Sequence, residues 1–220
     1  MINKPKLAVI FDMDGVIIDN TKYHALAWQQ ACKKFGKTLT LEQVKNNVLG
    51  RFNREVFAEL LGYKPSKSEA RRLALQKEAY YRKIYAHAIK PLAGVRKFLD
   101  ELKSANIKVA IATAAPPVNV KWVMARTKLK KYFKIIVDDT GVKKGKPAPD
   151  IFLKVAKKLK VSPKNCVVFE DGMLGIKAGL AAKMKVVGVA TSHKPQEIKH
   201  TDLVIKDFRE INLDKLLKLF

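Results

Sequence analysis

Cysteine is scarce in this chain. The 220 residues hold two, Cys32 and Cys166, far apart and without metal-like spacing, which excludes a disulfide framework and a cysteine-ligated zinc site. Both lie in apolar surroundings and are expected to be buried free thiols in a reducing cytoplasm. No run of about 18 apolar residues occurs, so no transmembrane helix and no membrane partner are expected. The apolar stretch near the N-terminus is broken by Asp12 and Asp14, which argues against a signal peptide and for a cytoplasmic location. Internal repeats and low-complexity tracts are absent, so long disorder is not expected. Acidic residues are also few: 20 Asp and Glu against 44 Lys and Arg leave a net charge of +24. The basic residues are scattered, many on polar helix faces such as Lys33, Lys34, Lys157, Lys158 and Lys160. There is no basic tail and no array of basic and aromatic residues. A solvated basic surface that steers anionic ligands is the reading, and no nucleic-acid partner is expected.

With 48% apolar residues, the chain can bury one sizeable core and a smaller second unit. It is organised around Leu7-Ala-Val-Ile-Phe-Asp-Met-Asp-Gly-Val-Ile-Ile-Asp19. Residues 7–11 read as a buried strand. The strand runs into two carboxylates, Asp12 and Asp14, which would share a face if it continued. Gly15 frees the backbone to turn. Acids at the end of a buried strand are costly unless a cation, a shared proton or a covalent role uses them.

After Asp19 the pattern becomes helical. Residues 23–35 have apolar residues at helical spacing and close at Gly36. Thr40-Leu-Glu-Gln43 reads as a capping box. A third helix covers 53–61 and stops at Gly62. A fourth starts at Ser66 or Ser68 and runs to about Ala86. Residues 20–89 thus carry no strand signal and form a candidate inserted domain, leaving 1–19 and 90–220 for the rest. There, short apolar strands (108–113, 135–137, 166–169, 185–189, 203–205) alternate with helices (95–104, one to about 126, 151–159, 174–182, 213–219). That alternation predicts an α/β fold, a Rossmann-like parallel sheet flanked by helices.

Ligands in such sheets bind beyond the carboxyl ends of the strands. Those ends carry Asp12 and Asp14, Thr113, and Glu170 and Asp171, and Lys146 sits in the proline-stiffened loop 144–150. Acids from two strands suit a hard cation such as Mg²⁺. A fixed lysine, a hydroxyl and the backbone N–H groups after Thr113 suit phosphate oxygens. Phosphoryl transfer is mostly positioning and charge stabilisation, so these parts suffice. One carboxylate can attack phosphorus, and another can move the proton. Asp150 reads as a helix cap, and Asp19 as a cap or hinge acid. Trp28, Phe35, Trp122 and Phe169 read as core residues, and Asp138 and Asp139 as loop acids.

Four motifs carry a resemblance: Phe11-Asp-Met-Asp-Gly-Val16, Ala112-Thr113, Lys146-Pro-Ala-Pro-Asp150, and Glu170-Asp171 followed by Gly175. Over essentially its whole length the chain resembles haloacid dehalogenase superfamily phosphohydrolases, in the branch of beta-phosphoglucomutase and sugar-phosphate phosphatases. The resemblance implies Asp12 as nucleophile and Asp14 as general acid/base. It implies Mg²⁺ held by the Asp12 carboxylate, the Asp14 backbone carbonyl and Asp171, with Glu170 adjacent. Thr113, Ala114 and Lys146 would bind phosphate. Residues 20–89 would be an all-helical cap, with His24, Gly50, Arg51, Asn53 and Arg54 as its substrate-facing candidates.

Several positions depart from the mutase pattern. Pro116 stands where the mutase has Lys, Ala115 where it has Ser, Leu49 where it has Lys, and Asn53 where it has Arg; Arg51 and Arg54 are possible substitutes. Asn20 replaces a hinge Ser or Thr, and Gly172 replaces a Ser. Lys183 replaces a helix-ending Gly, so it must either adopt a left-handed backbone or shift the helix end. The expectation is a monomeric, Mg²⁺-dependent phosphatase of a small phosphorylated metabolite, a sugar or polyol phosphate, with beta-phosphoglucomutase as the alternative. Pyrophosphate is a third candidate substrate. An alternative of another class is a basic nucleic-acid-binding protein on a phosphatase scaffold.

Overall fold

The computed structural model describes residues 7–220; residues 1–6, read above as leading into the first strand, lie outside the described residues. The chain divides into two compact units, residues 20–89 and the remainder on either side of them.

The larger unit is built on six parallel strands: β1 (Ala8–Phe11), β2 (Lys108–Ala112), β3 (Ile135–Val137), β4 (Cys166–Glu170), β5 (Lys185–Val189) and β6 (Leu203–Ile205). Their order is β3-β2-β1-β4-β5-β6, and every pairing is parallel. β1 is fully buried, as expected for a central strand covered on both faces. Successive strands step outward from β1 to β3, and the chain then crosses back to start β4 on the other side of β1. That reversal makes β1/β4 the switch point where such sheets leave a crevice.

Five helices of this unit are α5 (Val95–Ser104), α6 (Pro117–Thr127), α7 (Asp150–Leu159), α8 (Met173–Ala181) and α9 (Leu213–Leu217). α5 buries Val95, Phe98, Leu99 and Leu102, an i, i+3, i+4, i+7 stripe. Phe98 meets Phe11, Phe169 and Phe208 with ring centroids 5.6–6.4 Å apart. Aromatic contacts at such distances add about 0.5–1.5 kcal/mol each beyond area burial. The cluster fixes β1 against β4, because Phe11 and Phe169 are paired in register and stacked at 5.2 Å.

The smaller unit contains α1 (Thr21–Lys33), α2 (Leu41–Asn47), α3 (Asn53–Leu61) and α4 (Lys67–Tyr85). α1 packs on α2 and α4, and α3 packs on α4, around Ala25, Trp28, Ala31, Val44, Val48, Val56 and Phe57. The Thr40–Gln43 capping box is present, and Ser66 caps α4 by accepting from the Glu69 N–H at 3.2 Å. Among the described residues no helix is long and apolar enough to cross a membrane. Cys32 and Cys166 are buried free thiols.

The structure corrects some local expectations. Helix α1 begins two residues before Tyr23 and ends at Lys33 rather than Phe35. Asp150 does not cap α7: the cap position is Pro149, and Asp150 is the first helical residue, where its negative charge interacts favourably with the positive end of the helix dipole. Trp122 is only half-buried. Lys183 takes the left-handed conformation at φ +57° rather than moving the helix end.

Candidate active site

Strand register places the acids. Because Phe11 pairs with Phe169, the residues that follow, Asp12 and Glu170, emerge side by side, and Asp171 comes next. The Asp12 N–H still bonds the Phe169 carbonyl at 2.9 Å. The chain then turns at Gly15, so Asp12 and Asp14 do not share a strand face. Asp12 is buried and Asp14 half-buried. Gly15 has φ +78°, and a Cβ there would overlap the Asp171 carboxylate. Only glycine lets β1's loop come this close to β4's loop.

Asp12, Glu170 and Asp171 bring one oxygen each to within 4.8 Å of one another, all buried. Lys146 reaches in from the loop before α7. Its Nζ donates to Asp12 Oδ1 and Glu170 Oε1, both at 3.0 Å. Three carboxylates therefore face one ammonium. Burial, and then the Asp14 charge, raise the Asp12 carboxyl above its ordinary value against the lowering pull of Lys146. Burial and Asp12 raise Glu170 well above its own, and the same two causes push Asp171 up to about 7. Burial opposes the Lys146 charge, yet Asp12 and Glu170 outweigh it and raise the amine above its usual range. Among the described residues, Glu170 Oε2 is a buried acceptor with no hydrogen-bond donor. An all-oxygen donor set, excess negative charge and an orphaned buried oxygen fit a hard divalent cation.

Thr113 follows β2 and is fully buried. Its N–H bonds the Val137 carbonyl at 2.9 Å, and its Oγ1 accepts from the Ala115 N–H at 3.0 Å. That bond holds the turn carrying the half-buried Ala114 and leaves the hydroxyl proton available for an anion. Two residues that sequence reasoning missed brace the acid loops. Thr191 donates to the Gly15 carbonyl at 2.5 Å, and Ser192 to the Asp171 carbonyl at 2.9 Å. Their one signal in the sequence is a pair of hydroxyl residues just beyond the carboxyl end of β5.

The helical unit holds a separate polar cluster. His24 Nδ1 lies 3.1 Å from Lys77 Nζ, which pairs with Glu78 Oε1 at 2.8 Å; Asn53 donates to the same oxygen at 2.7 Å. The His24 ring stacks on Tyr81 at 3.8 Å, and Asn20 donates to the Tyr81 hydroxyl at 2.6 Å. Burial alone would raise Glu78, but Lys77, His24 and Asn53 overcome it and hold the carboxyl at about 2. The cluster thus joins His24 and Asn53 through Lys77 and Glu78, which the sequence reading did not single out. Arg51 instead pairs with Glu59 at 2.8 Å, and Arg54 lies over the Phe52 ring at 4.2 Å. Gly50 is exposed on the turn before α3.

A family profile described as haloacid dehalogenase-like hydrolase matches residues 7–183. A phosphorylated carbohydrates phosphatase from Thermotoga maritima is 34% identical over 189 residues, covering 84% of this chain and 86% of that one. A beta-phosphoglucomutase from Bacillus subtilis is 33% identical over 217 residues, covering 95% of this chain and 93% of that one. Among solved structures, a HAD hydrolase of family IA, variant 3, from Entamoeba histolytica superposes with a TM-score of 0.84 at 35% identity, covering 97% of this chain and 98% of that one. With its parallel sheet and acidic switch point, this chain belongs to the haloacid dehalogenase-like hydrolases.

Proposed function

We propose that the protein is a Mg²⁺-dependent phosphatase of a small phosphorylated metabolite, a sugar or polyol phosphate, acting through a phospho-Asp12 intermediate. The observation that carries this reading is the Asp12–Lys146–Glu170 arrangement at the switch point, with Asp171 completing a buried oxygen cluster. Mg²⁺ would be held by the Asp12 carboxylate, the Asp14 carbonyl and Asp171, with Glu170 beside them. It would offset the charge between Asp12 and an incoming phosphate.

Asp12 attacks phosphorus as the ester P–O bond breaks, forming an aspartyl phosphate. Asp14, protonated, gives its proton to the leaving oxygen. A water then attacks phosphorus and returns a proton to Asp14, the Asp12–phosphorus bond breaks, and inorganic phosphate leaves. Lys146, the Thr113 hydroxyl and the N–H groups after Thr113 hold the phosphoryl oxygens. The helical unit 20–89 serves as the cap that excludes water and selects the substrate.

The full-length likeness to a beta-phosphoglucomutase supports a mutase as second reading. A mutase must grip a bisphosphate at both ends. Pro116, Ala115 and Leu49 offer no such grip, Asn53 is committed to Glu78, and Arg51 to Glu59. The test is phosphate release from a panel including beta-glucose 1-phosphate, hexose 6-phosphates, polyol phosphates and pyrophosphate, with Mg²⁺ or EDTA. Metal-dependent release that vanishes in Asp12→Asn supports the phosphatase. Conversion of beta-glucose 1-phosphate to glucose 6-phosphate without release would overturn it in favour of the mutase.

A further inference from the structure

Basic residues occur throughout the sequence, and one continuous stretch is especially rich in them and poor in acids. Residues 121–164 carry 14 Lys and Arg against three Asp. This segment runs from α6 through the edge strand β3 and α7 to the turn before β4. α7 packs on β2 and β3. The β2–α6–β3 and β3–α7–β4 crossovers run in opposite directions along the sheet, so right-handed connections put α6 and α7 on opposite faces. The basic helices α6 and α7 therefore flank the β3 end of the sheet on its two faces. Toward the opposite edge, residues 185–210, from β5 through the turn after β6, carry five Lys and Arg against four acids. There, Lys185 pairs with Asp202 at 2.8 Å, and Arg209 pairs with Asp207 at 2.6 Å.

Apart from Lys146, the basic residues of 121–164 lie at the surface. Lys121, Lys134, Lys157, Lys158 and Lys164 are among them, exposed and without an ion pair to any described carboxylate. Like charges crowded on one edge repel and are stabilised by a partner carrying many anionic groups. The surface chemistry narrows that partner. Phe133 and Phe152 are buried, Tyr132 is nearly so, and Trp122 is half-buried, so no exposed aromatic offers a platform for unstacked bases. Leu153 is the one large apolar residue of the segment that is well exposed. That leaves neither an aromatic anchor for a protein interface nor an apolar face for membrane insertion. What remains is a set of exposed lysine point charges, which suits phosphates read without regard to sequence.

We propose that the β3 edge of the sheet is a docking surface for the phosphodiester backbone of duplex nucleic acid. Binding is sequence-independent and made through Lys contacts to phosphate. The inference does not rest on the phosphatase reading, and neither fails with the other.

The test is fluorescence anisotropy of a labelled DNA duplex titrated with the full-length protein across a salt series. Two triple variants lower the net charge equally: Lys121→Glu/Lys134→Glu/Lys157→Glu on α6, the approach to β3 and α7, and Lys183→Glu/Lys199→Glu/Lys206→Glu around β5 and β6 near the β6 edge. Each lost phosphate contact lowers the slope of log affinity against log salt by about 0.9, so the β3-edge variant should lose roughly 2.7 from the slope and about a hundredfold or more in affinity at 0.1 M salt. The β6-edge variant should keep nearly the parent slope. Phosphate release by both variants, together with unchanged melting temperatures, separates a lost surface from a lost fold. Equal loss in the two variants would overturn the proposal in favour of diffuse attraction by net charge. Tighter binding to phosphatidylserine vesicles than to duplex, at matched phosphate concentration, would overturn it in favour of a membrane.

Discussion

Replacing Lys146 with Met keeps the length of a side chain that is 2% exposed and removes its charge. Asp12 Oδ1 and Glu170 Oε1 each lose a donor at 3.0 Å. Removing one partner of a buried ion pair costs about 3–5 kcal/mol, because the remaining charge is left without compensation. For a chain of this size about 2–4 °C of melting temperature is lost per kcal/mol, so the metal-free variant should melt roughly 6–20 °C below the parent near pH 8.

The deficit should depend on pH. Asp12 and Glu170 are already raised by burial, and loss of Lys146 raises them further. A carboxylate raised in the folded state contributes stability that is fully present below its unfolded pKa. That stability is lost as pH rises through the folded value. The melting deficit should therefore be small near pH 4 and widen toward pH 8. Mg²⁺ at about 100 times its dissociation constant adds about 2.7 kcal/mol to any protein that binds it only when folded. It should stabilise the variant at least as much as the parent, since the ammonium no longer competes for Asp12 and Glu170. Turnover should nevertheless collapse, because the phosphate loses its cation. Scanning calorimetry in EDTA and in Mg²⁺ across this pH range measures all of this. A deficit that ignores both pH and Mg²⁺ would refute the reasoning and leave Lys146 only its packing on Phe152, whose ring centre lies 5.3 Å from Nζ.

Two further perturbations follow from close contacts. Gly175 sits in α8 where a Cβ would overlap the Glu170 carboxyl. Gly175→Ala should displace that side chain and weaken Mg²⁺ binding by about 10–100-fold, the range for disturbed outer-shell partners, as read from the metal-induced melting shift. In the helical unit, Glu78 is held at about 2 from an ordinary 4.5. A depressed carboxylate contributes stability above its unfolded pKa and loses it as pH falls through the folded value. Glu78→Gln should therefore cost on the order of 3 kcal/mol near pH 7, with the gap to the parent closing as pH falls below 4.5 toward 2 in chemical denaturation curves.

Much of the fold can be read from the chain because its signals are local. Short apolar runs bounded by turns mark β1 to β6, and the α5 stripe, the Thr40–Gln43 box and the Ser66 cap mark their helices directly. The acids beyond β1 and β4 are legible for the same reason, since each ends an apolar strand. What the sequence hides is contact between distant segments. Nothing in the separate strands says that Phe11 pairs with Phe169, yet that register sets Asp12 beside Glu170. Thr191 and Ser192 act on carbonyls far away along the chain, and a backbone acceptor leaves no mark in the pattern. Lys77 and Glu78 adjoin in sequence and look like ordinary helix-surface charge. The clue is that they interrupt the stripe of Leu73, Ala74, Tyr81 and Tyr85. Asp150 looked like a cap because helices often start at such residues, but the turn after Pro147 and Pro149 begins the helix at Asp150 itself.

The most direct test of the account is to look for phosphate on Asp12. The protein, with Mg²⁺ and the best substrate of the panel labelled in its phosphate, would be quenched in acid within one turnover, digested and mapped. The account predicts label on the peptide containing Asp12, with none on the Asp12→Asn protein, which should also release no phosphate. Substrate consumed with no protein-bound label, together with turnover that survives Asp12→Asn, would contradict it.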